Sequence, residues 1–195
     1  MNKQRSVASY RLIDLGLFAV MLLVFESVVV KVSSGRLFRD QAFTVSLVGA
    51  ITSIVYMRWG LWGGLHAFLG GIVYSLSANG TWEQMLIYSC GNLLSLLIVP
   101  VMNRIGREKI RQSRFLFIPL GTGTLLLMQA GRMLLSLLFG HPAGESLRFI
   151  TTDTLSCVFT LTVLWIVRRL DGVYEDQLHY LERINREMPG TEEEK

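Results

Sequence analysis

Glu26, Tyr88, Asn92, Gln129, Arg132 and Asp153 are polar or ionisable side chains set inside runs of apolar residues. An ionisable group within lipid is costly, faces the interior of a bundle, and is by default a functional site with a partner to be named. Arg132 supplies a permanent positive charge, Asp153 and Glu26 supply acceptors, and Asn92, Gln129 and the Tyr88 hydroxyl supply hydrogen-bonding walls. Such a set binds and orients a solute and does not break bonds. The sequence has no nucleophile elbow, HExxH pair, acid-rich magnesium motif or phosphate-cradling glycine loop. No enzyme is expected, and no metal or other cofactor.

These residues need helices long enough to hold them at depth, and the composition supplies such helices. Half of the 195 residues are apolar, 17% are charged, and the mean hydropathy is positive, which places the chain in the membrane class. Cys90 and Cys157 both lie in apolar runs without metal-ligand spacing, so they read as small buried residues rather than a disulfide. The C-terminal 25 residues carry eight acids and three bases, leaving a charge of roughly +9 on the remainder.

The apolar runs are expected as six spans, at residues 12–30, 42–57, 59–77, 84–100, 115–139 and 149–167. The first is close to the roughly 20 residues that a bilayer requires, the second is shorter, and the fifth is long enough to be tilted. The first is long for a signal-peptide core and is followed by further spans, so it is kept as mature structure. Six spans put both termini on one side. With the N-terminus inside, the inner segments ahead of the tail hold eleven bases, including Arg58, Arg104, Arg107, Arg168 and Arg169. The outer segments hold Lys31, Arg36, Arg39 and Arg148. This bias predicts an N-in, C-in protein of the bacterial plasma membrane.

Orientation assigns depth. Arg132 falls about eight residues, roughly 12 Å, below the outer end of the fifth span. Glu26, Tyr88, Asn92 and Asp153 fall in the outer parts of the first, fourth and sixth spans, with Gln129 one turn before Arg132 and Thr151 and Thr152 beside Asp153. The convergence suits a solute cavity open to the outside. A salt bridge of Arg132 with Asp153 or Glu26 that only fastens helices is the competing reading. Arg36 and its neighbours in the first outer loop read as a lid or as tolerated external bases. Trp82 sits at the mouth of the cavity. His66 reads as a packing histidine, and Asp14 as a carboxylate kept wet by snorkelling near a helix N-terminus.

The stretch Trp59 to Asn92 has its own pattern. Gly60, Gly63, Gly64, Ala67, Gly70 and Gly71 line one side of a helix, and small residues let helices approach closely in lipid. Only the turns after them, with Asn79, Trp82, Tyr88 and Asn92, are expected at the site. Residues 170–195 form a separate cytoplasmic segment, an amphipathic helix with an acidic polar face followed by an acidic end. It reads as a docking element for a protein partner, or as a cap lying against the inner loops.

The passage WGLWGGLHAFLGGIVYSLSANGTWEQMLIYSCGNLLSLL, with the later GRMLLSLLFG and RRLDGVYEDQ, resembles the substrate-binding S components of energy-coupling factor (ECF) vitamin transporters. The resemblance implies an all-α, six-helix membrane subunit that captures a vitamin-like small molecule at the outer face. It then delivers the molecule through a transmembrane coupling protein driven by two ATP-binding subunits. It further implies solute contacts from Arg36, Phe38, Asn79, Trp82, Tyr88, Asn92, Gln129, Arg132 and Asp153. The coupling face is implied on Gly16, Ala19 and Leu23, where the family's two alanines four apart are not reproduced. A scaffold of the cell-shape machinery, similar in size and span count to rod-shape-determining proteins, is the alternative, and a stand-alone carrier is a third.

Overall fold

The computed structural model describes residues 2–33, 45–170 and 172–187, with side chains from residue 7 to residue 183 within those stretches. Arg36 and Phe38, and with them the lid assigned to the first outer loop, lie outside the described residues. The described residues contain no strand. α1 runs Asn2–Val32, α2 Val48–Trp59, α3 Gly63–Ser77 and α4 Trp82–Asn92. α5 (Ile98–Ile105) and α6 (Arg107–Gln112) lead to α7 (Phe117–Leu138). The short turns α8 (Ala143–Ser146) and α9 (Arg148–Thr151) precede α10 (Thr154–Val167), and α11 (Gln177–Glu187) closes the described chain.

Local chemistry sets the breaks. α2 ends at Gly60, whose φ of +61° suits glycine, and a single 3-10 turn, Gly60–Trp62, starts the chain back as α3. α4 opens on a capping box: the Thr81 hydroxyl accepts from the Gln84 N–H at 3.2 Å, and the Gln84 side chain accepts from the Thr81 N–H at 3.0 Å. Pro119 falls in the first turn of α7, where its missing N–H costs nothing.

Side-chain pairings fix how the helices run. Gly63 meets Tyr56 and Gly70 meets Val48, so α2 and α3 are antiparallel; Gly64 meets Leu96 and Gly71 meets Ser89, so α3 and the α4–α5 column are antiparallel too. The expected small-residue stripe therefore serves two neighbours, one from each edge. α4 and α7 approach closest where Gly91 faces Gly131. A Cβ on Gly91 would lie 2.6 Å from the Arg132 nitrogen, and one on Gly131 would strike the Gly91 carbonyl oxygen. The described helices pack around one apolar core. Leu22, Val55, Tyr56, Met57, Ile87, Met128 and Leu164 are fully or almost fully buried among them.

Three stretches are long and apolar enough to cross a membrane: Val7–Val32, Trp82–Ile105 and Ala143–Val167. The other three expected spans are less clear-cut. α2 and α3 have 12 and 15 residues, short of the roughly 20 that a bilayer asks for, and Trp59 belongs to α2 rather than opening the third span. α7 has 22 residues, but Pro119, Gly121, Gly123, Gln129 and Arg132 dilute its apolar character.

The tail departs from expectation. Its helix starts at Gln177, seven residues later than the apolar periodicity suggests, because Gly172 (φ +73°) opens a turn there. The turn is held by Arg58, whose Nη1 donates to the Gly172 and Val173 carbonyls at 2.6 and 2.9 Å. Arg107 pairs with Asp176, while Arg111 and Arg183 converge on Glu175, which is 4% exposed. The acids of residues 175–176 thus lie against Arg107 and Arg111 of the same chain.

Candidate functional site

α7 buries Leu125, Met128, Gln129, Arg132 and Ser136, spaced three and four apart on its inner face. This spacing turns Arg132 toward α4 and α10 rather than toward the outside of the bundle, and Arg132 is only 5% exposed. Its Nε donates to Asn92 Oδ1 at 2.8 Å and its Nη1 to Asp153 Oδ2 at 3.1 Å. The guanidinium carbon lies 4.6 Å from the centre of the Tyr88 ring, where the ring's negative face attracts a cation.

Each partner is itself anchored. Asn92 closes α4, is fully buried, and donates from Nδ2 to the Ala67 carbonyl of α3 at 2.9 Å. Asp153 stands at the N-terminus of α10, where unpaired N–H groups favour a carboxylate. Its Oδ1 accepts from the Ser156 hydroxyl at 2.6 Å, and Ser156 Oγ accepts in turn from the Ser46 N–H at 3.0 Å. Tyr88 stacks obliquely on Tyr74 at 4.6 Å and edge-on against Phe149 at 5.6 Å. A cation, a carboxylate, an amide and an aromatic wall are therefore brought together from α3, α4, α7 and the entry to α10.

Glu26 lies on the next side of this group. Its carboxylate accepts from the Ser46 hydroxyl at 2.7 Å and the Leu47 N–H at 2.6 Å, so it caps the start of α2 instead of pairing with Arg132. Of the two carboxylates weighed as partners for Arg132, Asp153 is the one that pairs with it. Gln129 is buried one turn before Arg132 at 3% exposure.

Other expected residues stand apart. Asn79 (φ 55°) lies in the turn between α3 and α4, and Trp82, which is 70% exposed, opens α4. Trp82 is ten residues, roughly 15 Å of helix, from Asn92. The Thr151 and Thr152 hydroxyls donate back to the Arg148 carbonyl, the local bonding that these residues favour, and do not join Asp153. On α1, Gly16 has open space where a Cβ would stand, Ala19 is half-buried and Leu23 is 52% exposed, so all three lie toward the outer surface of the bundle.

Sequence reasoning missed a second buried ion pair at the other end of α1 and α2. Asp14 and Arg58 are 8% and 5% exposed. Arg58 grips the carboxylate with Nη2 at 2.6 Å and Nε at 2.8 Å, and the Trp59 indole N–H adds a bond at 2.6 Å. Asp14 is thus desolvated and paired rather than kept wet. His66 is buried next to this pair, its Nε2 3.0 Å from the Leu15 carbonyl oxygen. Tyr74 and Phe149 were also missed. Reflecting α4 about the Asn79–Gly80 turn places Tyr74 opposite residues 85–88, the signal that would have found it.

Compared with protein-family models, curated proteins and solved structures, the chain gives no match.

Proposed function

We propose that the chain is a six-span, N-in, C-in membrane protein that captures a vitamin-like small molecule at its outer face. In this reading it is the substrate-binding subunit of an ECF-type importer, and passes the solute inward through a coupling protein driven by two ATPases. The observation that carries the reading is the Arg132–Asp153–Asn92–Tyr88 cluster. It gathers recognition groups from separate helices at one depth, around a charge that lipid-facing packing alone does not require. Three helices long and apolar enough to cross a bilayer support the membrane part of the reading.

No bond is made or broken in the solute. Asp153 holds the guanidinium in place, and an anionic or electron-rich group exchanges with it for the Arg132 N–H donors. Asn92, Gln129 and the Tyr88 and Tyr74 rings then set orientation. Gly16, Ala19 and Leu23 face outward on α1, where a coupling protein has access.

A static role as a membrane scaffold is the second reading, and the mutual pairing of Arg132 with Asp153 favours it. Mass spectrometry of small molecules released from the detergent-purified protein separates the two. Solute capture predicts a tightly held compound in the wild type and its loss in the charge-neutral Arg132→Met/Asp153→Leu variant at unchanged folding. A preparation holding no compound after growth in replete medium, or one whose compound survives in that variant, rejects the assigned site.

A further inference from the structure

Two arginines at the end of α10 are placed unlike four others at that end of the bundle. Arg58, Arg107, Arg111 and Arg183 each engage a carboxylate at that end of the bundle. Among the described residues no ion pair engages Arg168 or Arg169. Instead, Arg168 lies over the Phe117 ring at 5.1 Å and Arg169 over the Trp165 ring at 4.2 Å. The Arg168 Nη1 donates to the Ser113 carbonyl at 2.9 Å, and among the described residues its buried Nε has no hydrogen-bond partner. Arg168 is half-buried and Arg169 is exposed, so part of this pair is open to an acceptor outside the chain.

Both aromatic rings are walls of one groove. Phe117, Ile118, Val158, Leu161, Thr162 and Trp165 line a cavity of about 510 Å³ between α7 and α10, and its surface is almost entirely apolar. Ile118, Val158 and Trp165 are 40, 59 and 45% exposed, so it opens to the outside of the bundle. From Val158 to Trp165 it runs about 10 Å along α10, ending at the arginine pair.

An apolar slot that ends at two cations matches an amphiphile with one anionic end. Basic pockets between spanning helices on the cytoplasmic side hold anionic lipid headgroups, and tryptophan is favoured at that interface. We infer that an anionic phospholipid of the cytoplasmic leaflet seats an acyl chain in this groove, with its phosphate on Arg168 and Arg169. This rests on the membrane-spanning part of the proposal above and is independent of solute capture.

The test uses the full chain in phosphatidylcholine vesicles doped with phosphatidylglycerol or phosphatidylcholine brominated in the acyl chains, which quench adjacent tryptophan. Trp165→Phe isolates Trp165 from the other tryptophans. The brominated anionic lipid is expected to half-quench Trp165 at a mole fraction roughly tenfold below the zwitterionic one. This preference is expected to fall in Arg169→Gln, an exposed change that leaves the Arg168–Ser113 bond in place, and to vanish in Arg168→Gln/Arg169→Gln. Equal quenching by the two lipids overturns the lipid site while leaving the spans intact. Quenching by neither overturns the spans as well.

Discussion

Arg132 and Asp153 meet at 3.1 Å across the gap between α7 and α10, with both side chains almost wholly withdrawn from solvent. Removing one member strands a buried charge, whereas replacing both with apolar residues of similar size strands none. Asp153→Ala is therefore expected to lower unfolding stability in detergent by about 3–5 kcal/mol. Arg132→Met/Asp153→Leu is expected to recover most of that loss. Additive destabilisation in the double variant, measured by thermal or denaturant unfolding, would remove the pair as the source of the effect.

Asp14 on α1 and Arg58 on α2 form a second buried pair, with one added duty: Arg58 also holds the Gly172 and Val173 carbonyls. Arg58→Lys keeps a charge but loses the planar fork that serves the carboxylate and the two carbonyls together. It is expected to expose the 172–176 turn to limited proteolysis while the core of the bundle stays resistant. Unaltered cleavage would mean that the Arg107–Asp176 and Glu175 pairs retain the tail unaided.

Gly131 and Gly16 make a matched comparison. A methyl group on Gly131 would meet the Gly91 carbonyl and the Leu94 Cβ, and backbone does not yield as the end of a flexible side chain does. Gly131→Ala is expected to destabilise by about 1–3 kcal/mol. Gly16 has nothing within 4 Å, so Gly16→Ala gains helix propensity, up to about 1 kcal/mol, without a clash. Equal midpoints for the two variants would contradict the close crossing of α4 and α7.

Glu108, outside the expected spans, accepts hydrogen bonds from Arg111, which hold its carboxyl below the ordinary 4.5 against the opposing effect of burial. A depressed folded value means that this contribution is present above about pH 4.5 and is lost as pH falls through the folded value. The group is largely exposed, so the effect on stability is small. NMR titration of the Glu108 carboxyl is expected to show a midpoint below 4.5 that rises toward it in Arg111→Gln. A midpoint insensitive to that change would assign the shift elsewhere.

The interior polar residues were readable because few physical reasons put an arginine or a buried asparagine in an apolar run, and the helical rise converts sequence position into depth. Arg132, Asp153 and Asn92 came out of that argument together. The Asp14–Arg58 pair did not, because a base at a span end already has an explanation in membrane orientation and its partner lies 44 residues away. Thr151 and Thr152 misled for a different reason: hydroxyls near a helix end bond their own backbone more readily than a distant carboxylate. The break before α10 also hid behind a continuous apolar run, since Asp153 marks it only once the helix is seen to restart there.

The two buried carboxylates of α1 have a mechanical consequence. Asp14 grips Arg58 and Glu26 grips Ser46 and Leu47, so α2 is pinned to α1 at points twelve residues, about 18 Å, apart. Sliding one helix past the other by a turn breaks both clamps at once, which rules out shear within this pair as a cheap motion. Any conformational cycle that keeps the clamps must carry α1 and α2 together as one rigid lever, with the movement taken up at their borders with α3, α7 and α10.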